Sequence, residues 1–283
     1  MKTRAWAKLN LTLDVLGKRE DGYHDLCMVM QSVTLHDTLT LQPNEGQGLR
    51  VKTNLRFLPT GDKNLAAVAA LRFWEALGRE PEHLDIEIEK RIPVCAGMAG
   101  GSSDAAAVLR ALNELAGFPF TPTELAKVGE KVGSDVPYCV LGGTALAEGR
   151  GEVLTPLPAL PPCWVVACKP DFPISTPELF ARIDSCKIRC RPDTAGMLEA
   201  LKAGSLEEVA RRMYNVFEDV LPERYQARVA EIKHVLIQKG ALGANMSGTG
   251  PTAFGLFDSE EAAREAQAAL QEGYRDTFLC RSV

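Results

Sequence analysis

The chain has 283 residues, 46% hydrophobic and 24% charged, with a formal net charge of −5. That suits a globular protein of about two domains with ample core material, and the negative balance argues against a nucleic-acid binder. No run of about 18 apolar residues exists to span a membrane, Asn10 and Asp14 interrupt the only candidate leader, and eight scattered cysteines without zinc-ligand spacing point to reduced, mostly buried thiols in a cytoplasmic protein.

Near the N-terminus, Leu9, Leu11, Leu13 and Val15 alternate with Lys8, Asn10, Thr12 and Asp14. A period of two predicts a strand with one apolar face and Lys8 and Asn10 side by side on the other. The turn-rich stretch Gly17 to Gly22 precedes Tyr23-His24. Asn64 to Leu77 is alanine-rich and predicted helical. Leu84, Ile86 and Ile88 alternate with acidic residues in a second half-buried strand, which runs into the segment Pro93-Val94-Cys95-Ala96-Gly97-Met98-Ala99-Gly100-Gly101-Ser102-Ser103. Ala105, Val108, Leu109, Leu112 and Leu115 then recur at helical spacing. Thr121-Pro122-Thr123-Glu124 is a capping box that opens another helix, and Gly133 to Pro137 is a turn.

Four prolines between Pro156 and Pro162 mark a boundary, which divides the chain into residues 1–158 and 159–283. Beyond it come a strand at Cys163–Lys169 and helices from Thr176, Ser205 and Pro222. Strands at Leu242–Met246 and Thr252–Phe257, a helix at Glu260–Leu270 and a strand at Thr277–Arg281 follow. This order predicts an α+β protein: a mixed α/β N-terminal domain and a ferredoxin-like C-terminal sandwich.

The small-residue segment is the most informative. A strand before it, a helix behind it and two serines at the junction suit a polyphosphate: backbone N–H groups and the helix dipole favour an anion there. Close helix–strand packing is the competing explanation. Ser102 or Ser103 is expected to cap the helix, and either hydroxyl could reach a magnesium ion held mainly by phosphates and water. Singly, Asp135 reads as a helix cap, Lys8 as a strand residue, Tyr23-His24 as a packed aromatic beside a surface histidine, and Met246–Pro251 as a tight hairpin.

Together, Lys8-Leu9-Asn10-Leu11, the Gly97–Ser103 loop and Met246–Gly250 occur in the order that resembles the GHMP kinase superfamily. Arg19-Glu20-Asp21-Gly22-Tyr23-His24 and Gly133-Ser134-Asp135-Val136-Pro137 are similar to the branch acting on a cytidine-diphosphate-linked methylerythritol in non-mevalonate isoprenoid synthesis. The resemblance spans Ala7 to Phe257. It implies two domains around a cleft, with ATP phosphorylating a hydroxyl of that small molecule. Residues 93–103 would wrap the phosphates of ATP, with Mg2+, and Asn64 and Lys90 would lie near adenine and ribose. Asp135 would be the base and Lys8 its partner. Tyr23 and Phe180 would sandwich the cytosine, His24 would read its edge, and Asn10, Thr176, Gly248 and Thr249 would complete the acceptor side. Phosphoryl transfer depends chiefly on positioning and charge stabilisation, so Lys8 is expected to act as an electrostatic clamp.

Relatives often carry glycine where this chain has Ala99, which the extra methyl tolerates only if residue 99 avoids positive φ. Homoserine, mevalonate or sugar kinases of the same superfamily share the loop but have no use for a cytosine clamp. A non-catalytic nucleotide-binding protein would need neither Lys8 nor Asp135.

Overall fold

The computed structural model describes residues 1–46, 48–61 and 63–283. Its contacts group into two compact units. Unit 1 comprises residues 1–7, 36–92 and 99–142; unit 2 comprises 8–35, 93–98 and 143–283. The long strands β1 (Lys2–Lys18) and β2 (His24–Pro43) each pass from one unit into the other.

In unit 1, β2 pairs antiparallel with β4 (Leu84–Glu89), which pairs parallel with β3 (Leu49–Thr53). Helix α1 (Leu65–Leu77) precedes β4. Helices α2 (Gly100–Leu115), α3 (Pro122–Glu130) and α4 (Val136–Leu141) follow it. Helices α1 and α2 bury small residues, Ala66, Ala69 and Ala70 on α1 and Ala105 to Ala107 on α2, in the same core as Phe73 and Trp74. Asn64 starts α1 by accepting from the amide of Ala66, and Gly78 stops it in the left-handed region. Thr121 and Glu124 form the expected capping box.

In unit 2, β2 pairs with β5 (Thr144–Gly149), which pairs with β6 (Val153–Pro156). Strand β7 (Trp164–Lys169) is followed by helices α5 (Thr176–Ser185), α6 (Thr194–Lys202) and α7 (Leu206–Arg211). Next are β8 (Tyr214–Asn215), parallel to β1, a 3₁₀ turn Val216–Val220 and α8 (Glu223–Gln238). Strands β9 (Gly243–Met246) and β10 (Ala253–Phe257), α9 (Glu260–Gln271) and β11 (Asp276–Arg281) complete the chain. The sheet order β11-β7-β10-β9, antiparallel throughout, carries α8 and α9 packed on it, which is the predicted α/β sandwich.

Lys8, Asn10, Thr12 and Asp14 on the polar face of β1 are all buried, like the apolar face. Two local expectations need correction. Neither serine caps α2. Its N-cap is Ala99, which makes no side-chain cap bond, and Ser102 and Ser103 already lie inside the first turn. Of the eight cysteines, all free, three are buried, while Cys95, Cys186 and Cys190 are exposed.

Candidate active site

The segment after β4 has an unusual backbone. Cys95, Gly97 and Ala99 take φ of 52°, 71° and 56°. Left-handed residues at every second position are the condition for a nest, in which successive N–H groups face one anion. Ala99 therefore adopts the positive φ that its methyl group was expected to forbid, at a cost of about 1–2 kcal/mol. Helix α2 starts immediately afterwards, and its first-turn N–H groups and dipole add to the same anionic preference.

Within unit 2 the turn after β9 is built against this loop. The Ser247 hydroxyl donates to the Gly97 carbonyl (2.8 Å) and accepts from the Asn10 amide (3.3 Å). A Cβ on Gly97 would lie 2.1 Å from the Ser247 carbonyl oxygen, and one on Gly248, itself at φ 58°, would lie 3.0 Å from the Gly97 oxygen. Both glycines are fixed by this approach of two backbones. The amide of Lys8 donates to the Met98 carbonyl, so β1, the loop and the Met246–Gly250 turn converge. The Lys8 ammonium donates to Asn10 Oδ1 at 2.7 Å; the two side chains share a face, as their spacing predicts. Asn215 and Asn245, which sequence reading missed, hold the assembly. The Asn215 amide donates to the carbonyls of Met246 and Gly248, and that of Asn245 to those of Asn10 and Leu11. A buried asparagine beside the small-residue turn was the only available signal.

Elsewhere in unit 2, Thr176 and Thr249 meet hydroxyl to hydroxyl at 2.8 Å. His24 stacks on Phe180 (4.5 Å between centroids), and Phe217 meets Phe180 edge-on at 5.0 Å. The His24 Nε2 lies 2.7 Å from Asp184, whose carboxyl is held below its usual range by His24 and then by Lys18. Tyr23 is 56% exposed, with the Arg150 guanidinium 5.2 Å from its ring centroid. Asp184 and Arg150 are further residues that the sequence did not single out.

In unit 1, Asp135 is the N-cap residue of α4, and its side chain makes no cap bond. Helix α4 packs on α2 and α3. The Ser103 hydroxyl donates to the Trp6 carbonyl at 2.6 Å, whereas Ser102 is half-buried with no bond to its hydroxyl among the described residues. Two expected nucleotide contacts have other partners. Asn64 spends its side chain on capping α1 and on the Pro59 carbonyl. The Lys90 ammonium is buried between Asp37 and Asp104.

A phosphate nest leading into a helix, beside a buried ammonium and a glycine-on-glycine turn, defines a kinase-like site for a small molecule. Family models agree: residues 64–143 match the GHMP kinases N terminal domain and residues 197–276 the GHMP kinases C terminal. The 4-diphosphocytidyl-2-C-methyl-D-erythritol kinase of Alkaliphilus metalliredigens is 42% identical over 100% of this chain and 96% of its own. That of Alkaliphilus oremlandii is 44% identical with the same coverage. A crystal structure of 4-(cytidine 5'-diphospho)-2C-methyl-D-erythritol kinase superposes with a TM-score of 0.83 at 35% identity, covering 100% of this chain and 99% of that one. The chain belongs to the GHMP kinases and, among them, to the 4-diphosphocytidyl-2-C-methyl-D-erythritol kinase family.

Proposed function

We propose that this chain transfers the γ-phosphoryl group of ATP to the 2-hydroxyl of 4-diphosphocytidyl-2-C-methyl-D-erythritol, in the cytoplasm, on the non-mevalonate route to isoprenoid precursors. The alternating left-handed residues 95, 97 and 99, running straight into α2, carry the reading, because they suit a polyphosphate and little else. Residues 1–158 supply the ATP contacts and both catalytic groups, and 159–283 complete the acceptor side.

An alcohol is a poor nucleophile at neutral pH, so a positioned carboxylate must orient it and take its proton. Asp135 has that task. Lys8, oriented by Asn10, spreads positive charge over the phosphoryl oxygens as charge builds on them. The acceptor's cytosine is sandwiched by Tyr23 and Phe180; base–aromatic stacking contributes about 1–3 kcal/mol. With Nε2 held by Asp184, His24 has Nδ1 left to read the pyrimidine edge. Thr176, Thr249 and the Gly248 backbone bind the remaining acceptor oxygens. Among the described residues no group of three His, Cys, Asp or Glu could hold a metal. Mg2+ would therefore rest on phosphates and water with at most one hydroxyl, that of Ser102, and would neutralise phosphate charge.

The test is ADP release with this acceptor and with homoserine, mevalonate and galactose. The cytidyl acceptor alone should support turnover, Asp135→Ala should lower kcat about 10²–10⁴-fold, and ATP affinity should stay within a few fold. A preference for an acceptor without cytosine, or near-normal turnover by the variant, defeats the assignment.

A further inference from the structure

Unit 1 contains a cavity of about 560 Å³ between α2, α3 and α4. Its walls include Phe118, Phe120, Pro122, Leu125 and Val140, and Arg110 also lines it. Arg110 is half-buried, and its guanidinium donates only to carbonyls, those of Cys139 (2.5 Å) and Arg4 (3.0 Å). Among the described residues it forms no ion pair. Glu114, one turn along α2 on the same cavity wall, makes no bond to it. Burial lowers the Arg110 pKa and no carboxylate opposes the shift. A half-buried cation satisfied only by carbonyls has room for an anion, and a bidentate carboxylate or phosphate is its natural complement.

The mouth is equally specific. Phe118 is a non-glycine residue at φ 59° with a phenyl ring 68% exposed. The left-handed backbone belongs to the turn that ends α2, but an apolar ring held in water does nothing for folding. Its amide bonds to the Asn113 carbonyl, and Asn113 uses both ends of its side chain on Phe120, which fixes the rim.

We infer that this cavity is a binding site for an amphipathic anion, a small molecule with an aliphatic or aromatic body and one carboxylate or phosphate head, the head pairing with Arg110 and the body lying under Phe118. A volume of this size suits a small ligand. Occupancy bears on the enzyme because the guanidinium that meets the head also holds the carbonyl of Cys139 in α4, the helix that Asp135 introduces. That last step rests on the proposed role of Asp135; the binding site itself does not.

The experiment is calorimetric titration with octanoate and with octyl phosphate in saturating ADP, with octanol and octylamine as controls. Octanoate or octyl phosphate should bind about tenfold or more tightly than either control, the gain of one charge-assisted pair, and the tighter of the two identifies the head group. Arg110→Met should abolish that preference. Phe118→Asp is the second variant: the site is exposed and aspartate accepts a left-handed backbone better than phenylalanine, so the fold should hold while the new charge at the mouth weakens both anions about tenfold. Equal affinity for octanol, unchanged binding in Phe118→Asp, or an anion preference kept by Arg110→Met overturns the inference whether or not Asp135 proves to be the base.

Discussion

Ala99 and Gly97 lie two residues apart in the same left-handed region, yet they respond oppositely to substitution. At Ala99 the methyl group is an avoidable cost. Ala99→Gly should stabilise the protein by about 0.5–1 kcal/mol, since relief of the left-handed penalty exceeds the entropy glycine adds to the unfolded chain; an unchanged or lower denaturant midpoint would contradict this. Gly97→Ala instead forces Cβ against the Ser247 carbonyl. It should cost about 2–4 kcal/mol and most of the ATP affinity, which melts with and without ATP would reveal. Asp104 makes a third argument at this scale. Burial, the largest cause, pushes its carboxyl up to about 8, although the Lys90 ammonium at 2.6 Å pulls it down. Asp37 accepts from the amides of Arg91 and Ile92, whereas Asp104 Oδ1 has no partner among the described residues. Between pH 4 and 8 the native state thus binds a proton that the unfolded chain has lost, so stability falls as pH rises through that window. Asp104→Asn keeps the shape and removes the proton. Melting curves from pH 5 to 9 in metal-free buffer should show wild type losing up to about 1.4 kcal/mol per pH unit relative to the variant; parallel curves would refute the assignment. None of this was visible in the sequence, where Asp37 and Asp104 look like ordinary polar residues.

At the scale of elements, the segments that sequence patterning identified and those it missed differ for physical reasons. The strand β4, the helices α1, α3, α8 and α9, and the sandwich strands each follow one clean period or carry an explicit cap, and all were predicted. The strand β2, 20 residues long, was not. From Val33 to Leu41 every second residue is buried, but one of them is Asp37, and a charge in the apolar register hides the alternation. Helix α4 has only six residues and opens with Asp-Val-Pro, a turn-like pattern, and α6 hides its period behind Gly196 in its first turn. The site was legible wherever a motif is local: the loop, Lys8 with Asn10, and the Met246–Gly250 turn. What joins them was not, because Asn215 lies more than thirty residues from the carbonyls it holds and no spacing rule reaches that far. Asn215→Ala should cost about 2–4 kcal/mol, two buried carbonyls losing their donor, and should raise deuterium exchange across residues 246–250. Unaltered exchange in that turn would mean that the Ser247 contacts alone maintain it.

For the molecule as a whole, the order of residues along the chain and the order of contacts in space diverge. The proline-rich stretch at 156–162 suggests one cut, yet unit 2 gathers residues 8–35 together with everything from 143 onward. The reasons lie in particular bonds. Strand β8 pairs with Thr12 and Leu13 of β1, and the Arg191 guanidinium donates to Asp14 and to the Val15 carbonyl. His24 meets Asp184, and the Asn245 amide meets the Asn10 and Leu11 carbonyls. Gln31 donates to the Val283 carbonyl, and the Val283 amide donates to Ser32. Most of these groups are buried, so parting them would leave donors and acceptors unsatisfied at about 1–3 kcal/mol each. A protease site placed between residues 158 and 159 should therefore give a nicked protein whose halves co-elute in size-exclusion chromatography and melt together. Both halves must also be present for ADP release, because residues 8–35 hold Lys8, Asn10 and His24 while 159–283 hold Phe180, Thr249 and the turn at Ser247. Halves that separate without denaturant would show that the chain folds as two sequential domains and that the strands β1 and β2 bind unit 2 only weakly.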